Sequence, residues 1–202
     1  MHIINLGYTY EAAQVFLRGE YTFYPGDLVH ITGRNGSGKS TILKIFAGIL
    51  GNYTGTCKLP PNWSARYVPT NISSALFLPW YSVRKNIELL VGAAQARSHD
   101  LCHRFLNSTF DRILDQPAYT PSAGESAAIA IACAVAANPY AILLDETLSH
   151  AAAALAKELA EVLEAFLPGR LLFVAGHHEL PFAAHVRIVA MDDPHDKNGQ
   201  HI

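Results

Sequence analysis

Nine consecutive residues, Gly33-Arg34-Asn35-Gly36-Ser37-Gly38-Lys39-Ser40-Thr41, constrain this chain more than any other stretch. They carry the phosphate-loop spacing G-x-x-x-x-G-K-[ST] in full. Before them, Asp27-Leu28-Val29-His30-Ile31-Thr32 reads as a buried strand. After them, Ile42-Leu43-Lys44-Ile45-Phe46-Ala47-Gly48-Ile49-Leu50 reads as a helix with apolar residues on more than one face. Strand, glycine loop, helix is the context this spacing needs. Gly33, Gly36 and Gly38 let the backbone turn tightly and bring its N–H groups to a phosphate with no Cβ in the way. Asn35, Ser37 and Thr41 belong to the same cradle. The helix N-terminus adds partial positive charge. Lys39 can reach the β- and γ-phosphates of a nucleotide, and the Ser40 hydroxyl can ligate Mg²⁺.

The rest of the chain suits a single nucleotide-binding unit over residues 1–191 with a polar tail at 192–202. The chain has 202 residues, half of them apolar, which is enough for a real core. A net charge of −2 gives no reason to expect nucleic acid as a partner. Cys57, Cys102 and Cys133 form no close pair, which suits a reduced cytosolic protein without a metal or redox site. The start, Met1-His2-Ile3-Ile4-Asn5, lacks a basic region followed by a long apolar run, so no signal peptide is expected. The longest apolar run, residues 127–137, is too short to span a membrane.

Taken in order, Val15-Phe16-Leu17 and Tyr21-Thr22-Phe23-Tyr24 read as antiparallel β, with a turn at Pro25-Gly26-Asp27. Residues 56–59 and 65–68 are short strands around Pro60-Pro61-Asn62, and 71–79 reads as loop. Residues 82–137 read as a small helical subdomain. Its last part, 124–137, is nearly all Ala and Ile, hence a helix buried on most sides. Ala141-Ile142-Leu143-Leu144 is a strand buried on both faces. A helix over 150–166 and strands at 171–175 and 186–191 follow. Strands alternating with helices predict an α/β fold with its ligand at the strand ends.

Later motifs narrow the class. Ile142-Leu143-Leu144-Asp145-Glu146 is an apolar strand ending in two carboxylates, which resembles a Walker B motif. About twenty residues earlier sits Pro121-Ser122-Ala123-Gly124-Glu125 at the start of the buried helix. It resembles the signature of ATP-binding cassette (ABC) ATPases, usually L-S-G-G-Q, at Ser122 and Gly124. The chain is therefore identified as resembling an ABC nucleotide-binding subunit from about residue 5 to 191. The resemblance implies a P-loop NTPase fold with an N-terminal antiparallel β subdomain and a shortened helical subdomain. It implies ATP and Mg²⁺ as cofactors, with Ser40 at the metal, Asp145 holding it through water and Glu146 polarising the attacking water. His177 matches the family's switch histidine, and Tyr10 sits where an aromatic ring stacks on adenine, with Tyr8 as the competing candidate. Ser122 and Gly124 would close over ATP held by a second ABC subunit. A transmembrane permease subunit is the implied partner, which puts the chain on the cytoplasmic face of the membrane, working as an ATPase coupled to transport.

The chain also departs from that pattern. Thr70 and Asn71 stand where the family places a glutamine that reaches Mg²⁺. His150-Ala151-Ala152 replaces a stretch that normally ends in an interface aspartate, and Thr147 replaces a proline. Ser126, Ala127 and Ala128 replace basic and glutamine side chains. Either an asymmetric pair or a minimal homodimer fits these changes. Phe77, Trp80 and Tyr81 lie in a segment similar to that of nitrate, sulfonate and taurine importers, where a permease helix docks. The short length and the Ser-Ala-Gly signature are instead similar to the haem-export ATPase of cytochrome c maturation. A soluble ABC ATPase and a small-molecule kinase are the alternative classes, but neither the long insertions of the first nor an arginine-rich lid of the second is seen.

Overall fold

The computed structural model describes residues 1–11, 13–92, 111–177 and 180–191. Among these residues the chain forms two sheets. The smaller is antiparallel, with β1 (His2–Thr9) between β2 (Gln14–Thr22) and β4 (Thr54–Lys58). The larger is parallel and runs β5-β6-β7-β3-β8, from β5 (Ala65–Val68) through β6 (Ala141–Asp145), β7 (Leu171–Ala175) and β3 (Leu28–Thr32) to β8 (Val186–Ala190).

The parallel sheet explains the apolar runs. Successive side chains leave a strand on opposite faces, so a strand covered on both sides must be apolar throughout. Ile142 and Leu144 of β6 and Leu172 and Val174 of β7 enter one core cluster. Ala141 and Leu143, with Leu171, Phe173 and Ala175, enter the other. The second cluster is sealed by α1 (Lys39–Phe46) through Ile42, Leu43 and Phe46. The first packs against α4 (Ala123–Ala136) and α5 (Ala153–Phe166). Each fully buried Leu or Phe stabilises the fold by about 1.5–3 kcal/mol. The alanine-rich sequence of α4 lets it lie inside this layer, buried at nearly every position.

Several expectations needed correction. β1 was not legible as a strand, because its alternation breaks at Asn5, where the register with β2 and β4 shifts and φ is +45°. The two strands expected at 15–17 and 21–24 are one strand, β2, and Phe23 has left it to enter the core. The expected loop at 71–79 contains a helical turn, α2 (Ile72–Ala75). The helix expected from residue 150 starts at Ala153, after a 3₁₀ turn over Thr147–His150. The first phosphate-loop helix ends at Phe46, whose carbonyl accepts a hydrogen bond from Trp63 Nε1 at 3.0 Å. Of the expected helical subdomain, α3 (Val83–Val91) and α4 are present. Residues 93–110, Cys102, His178 and the 192–202 tail lie outside the described residues. Cys57 is half-buried and Cys133 is buried. No helix among the described residues is long and apolar enough to cross a membrane.

His30 departs from the apolar rule in the sheet. It is buried on β3, with Nε2 3.3 Å from the Gly176 carbonyl. Burial holds its pKa below the ordinary 6.5, the neighbouring His177 lowers it further, and the Gly176 contact opposes both. The unfolded chain therefore binds this proton more readily than the folded one. The stability contributed by neutral His30 is full above about pH 6.5 and is lost as pH falls through the lower folded-state value. A His30→Gln variant should show a smaller drop in urea midpoint between pH 7.5 and pH 5.5 than the parent chain; an equal drop would assign the effect to other groups.

Candidate functional site

The parallel strands deliver the site to one edge. Strand β3 runs into the glycine loop, β6 ends at Asp145, and β7 is followed by Gly176 and His177. Strands β3, β7 and β6 are adjacent, so three separated sequence segments meet there.

Lys39 is the hub. Its side chain is only 5 % exposed, and Nζ donates to the carbonyls of Gly33 at 2.9 Å and Arg34 at 3.1 Å. It also lies 3.6 Å from Glu146 Oε1 and 3.1 Å from His177 Nε2. His177 Nε2 is 3.1 Å from the same Glu146 oxygen and bonds Asn35 Oδ1. One nitrogen cannot accept from Lys39 and donate to Glu146 in the same tautomer. The protonated Nε2 suits the two oxygen partners, and the Lys39 charge is then balanced by Glu146. A buried ammonium must be paired in this way or displaced by another anion. Glu146 adopts φ +53°, a left-handed conformation that costs roughly 1–2 kcal/mol for a residue with a Cβ. That turn follows directly on the strand end and carries its carboxylate back toward Lys39.

Asp145 forms a second node. It is buried, and its Oδ1 accepts from Ser40 Oγ at 2.9 Å while Oδ2 accepts from the Tyr67 hydroxyl at 2.6 Å. Burial first, then the contact with Asp145, push the Tyr67 phenol far above its ordinary value, so it stays a neutral donor. A carboxylate and a hydroxyl 2.9 Å apart are hard oxygen donors, the set that suits Mg²⁺ completed by water and phosphate. Among the described residues no cluster of three or more His, Cys, Asp or Glu offers a competing metal cage. Sequence reasoning missed Tyr67, because a tyrosine in a short strand carries no signal that its hydroxyl reaches the next strand's end.

The loop is shaped for an anion. Gly33, Gly36 and Gly38 all have positive φ. Ser37 Oγ is buried without a hydrogen-bond partner, a vacancy in bonding that a phosphate oxygen would fill. Tyr10 lies beside it, 41 % exposed, with its hydroxyl 3.0 Å from Thr41 Oγ1. Tyr8 meets Tyr10 edge-on at 4.8 Å and packs on the core, and Tyr10 is the more exposed of the two rings.

Ser122 and Gly124 are not gathered into this node. They start α4, where Ser122 and Glu125 form a reciprocal capping box. Burial pushes the Glu125 carboxyl up, but the Ser122 hydrogen bonds and Arg112 outweigh it and hold it below the usual range. A Cβ on Gly124 would meet the His150 carbonyl at 3.0 Å. Thr70, which stands in place of the expected glutamine, donates its hydroxyl to the Asp145 carbonyl at 3.0 Å and so braces the strand end. Thr70, Asn71, Ser126 and His150 line one cleft beside α4, so four of the departures from the family pattern share a surface. Of the aromatic trio, Phe77 is core at 4 % exposure, which corrects its expected place on the surface; Trp80 is 73 % exposed and Tyr81 42 %.

Strand, glycine loop and helix, with an acidic strand end at the same sheet edge, define a P-loop nucleotide-binding domain. A family model described as ABC transporter matches residues 18–149, and the chain belongs to that family. It is 27 % identical over 152 residues to the zinc import ATP-binding protein ZnuC of Ehrlichia chaffeensis, a match covering 74 % of this chain and 61 % of that protein. The chain thus spans about 61 % of the length of this relative. It is 30 % identical over 203 residues to the aliphatic sulfonates import ATP-binding protein SsuB of Cupriavidus pinatubonensis, covering 96 % of this chain and 67 % of that one. Among solved structures it resembles the dimeric, post-hydrolysis ATP-binding cassette MJ0796 bound to ADP and Pi, with a TM-score of 0.65 and 21 % identity over 88 % of each chain.

The loop geometry is testable by itself. A Cβ at Gly38 would lie 2.1 Å from Val15 Cγ1 at φ +101°, whereas one at Gly36 would meet nothing within 4 Å at φ +83°. Gly36→Ala should cost only the backbone strain, roughly 1–3 kcal/mol. Gly38→Ala should cost more, and adding Val15→Ala should recover part of the difference. Thermal melts of the three variants check this order.

Proposed function

We propose that this chain is the ATP-hydrolysing subunit of an ABC importer. The convergence of Lys39, Glu146 and His177 with the Ser40–Asp145 pair at one sheet edge carries the reading. The names of the two relatives above support the import direction over export. ATP would lay its phosphates in the loop, with Lys39 leaving Glu146 for the β- and γ-phosphates and Ser37 Oγ gaining its partner. Tyr10 would stack on adenine. Ser40 and Asp145 would hold Mg²⁺, which neutralises phosphate charge when bound. Glu146, freed from Lys39, orients a water toward the γ-phosphorus and takes its proton as the bond to ADP breaks. His177 donates from Nε2 to the γ-phosphate oxygens. Loss of the Glu146 base should slow hydrolysis by ~10²–10⁴ while binding persists. Single-turnover ATP hydrolysis and equilibrium binding on Glu146→Gln test this together; retained turnover would reject the assignment.

One observation favours a partner that differs from this chain. The α4 N-terminus, expected to close on ATP from a second subunit, is already occupied by the Glu125 carboxylate. Two copies closing face to face would bring that charge toward a γ-phosphate. A different cassette that supplies a neutral signature, and the aspartate that His150 does not provide, avoids this. Light scattering of Glu146→Gln with Mg-ATP separates the two cases, since a homodimer would double the mass.

Trp80 and Tyr81, with ring centroids 6.4 Å apart, form the exposed aromatic patch suited to a permease helix. Trp80→Ser should leave folding and basal ATPase unchanged and weaken co-purification with the permease. A folding defect would instead count Trp80 as part of the core.

A further inference from the structure

Asp145 is a buried carboxylate whose two oxygens are bound by hydroxyls, Ser40 on Oδ1 and Tyr67 on Oδ2. Among the described residues no cation touches it. Lys39, the nearest hub of positive charge, is committed to Glu146 and the loop carbonyls. Parallel pairing sets Tyr67 beside Leu143, two residues before Asp145. Its ring packs on the α1-side core while its hydroxyl reaches the strand end. Tyr67 and Ser40 therefore grip opposite oxygens of one side chain, from β5 and α1 respectively.

We infer that Tyr67 is the positioning residue for the metal-holding carboxylate, fixing which Asp145 oxygen faces the cation. This rests on the Mg-ATP reading above and deepens it. Ser40 and Asp145 Oδ1 would hold the cation, Asp145 through water, which supplies charge neutralisation to the phosphates. Oδ2 would stay held by Tyr67, which keeps the carboxylate from rotating and leaves Oδ1 as the oxygen toward the cation. Thr70 does not duplicate this role, because its hydroxyl is spent on the Asp145 backbone carbonyl. Tyr67 thereby supplies a fixed polar contact to the metal centre from the strand just before the missing glutamine.

Tyr67→Phe keeps the ring and removes only the hydroxyl. The experiment titrates Mn²⁺ into the chain with a non-hydrolysable ATP analogue, read by electron paramagnetic resonance, and measures binding of the same analogue in EDTA. Losing a partner of a metal-bound ligand typically weakens metal binding about 10–100-fold, and the lower end, about tenfold, is expected here. Binding in EDTA should stay unchanged, which also shows that the variant folds. In an Asp145→Asn background, Tyr67→Phe should have no further effect on Mn²⁺. Unchanged Mn²⁺ affinity, equal loss with and without metal, or full loss in both backgrounds would each overturn the inference. A parent chain that binds the analogue with no metal dependence would overturn the Mg-ATP reading along with it.

Discussion

The buried ammonium of Lys39 is the contact on which the site depends. An ammonium out of water must be compensated by charge and hydrogen bonds, or it would deprotonate or move to solvent. Here the compensation comes from the loop's own carbonyls and from Glu146 at the end of β6, whose carboxylate His177 after β7 also contacts. The requirement ties the glycine loop to two other strand ends. It also makes the arrangement responsive, because a phosphate is a better partner for Lys39 than a carboxylate 3.6 Å away. On the proposed reading, the charge that holds the loop in shape would release Glu146 when nucleotide takes its place.

The sheet makes that meeting possible. Parallel strands end their C-termini on the same edge, and adjacent strands lie about 4.8 Å apart. Residues 33–41, 145–146 and 177 are far apart in the chain, yet β6, β7 and β3 are neighbours. The two core clusters on either face hold these strands rigid, so the side chains at the edge inherit fixed positions. Some backbone strain sits at the same edge, in the positive φ of Glu146. Such strain persists where surrounding packing over-determines it, and here the packing is a layer of fully buried Leu, Ile and Phe.

Departures from the family pattern fall on the other side of β6. Thr70, Asn71, Ser126 and His150 line a common cleft next to α4, while the loop, Asp145, Glu146 and His177 keep a coherent geometry. The residues at the sheet edge thus keep the family's types, and four of the departures gather in the cleft beside α4. The capping box at Ser122 and Glu125 satisfies the helix end from within the chain.

The parts of this protein legible in its sequence are those set by local chemistry. The phosphate loop, the all-apolar strands β6 and β7, the Ala-Ile helix α4 and the acids at the end of β6 each follow from residues near one another, where backbone conformation and burial leave few choices. What the tertiary structure decided depends on contacts between distant segments. β1 was hidden by the bulge at Asn5, which breaks the alternation that marks a strand. Phe77 and Trp80 are both aromatic, three residues apart, and only packing against α4 and its neighbours makes the first core and leaves the second in solvent. Tyr67 joins the site because strand pairing sets it beside the end of β6, 78 positions from Asp145. Local sequence specifies how each element forms, whereas the order of strands in the sheet fixes which side chains share an edge.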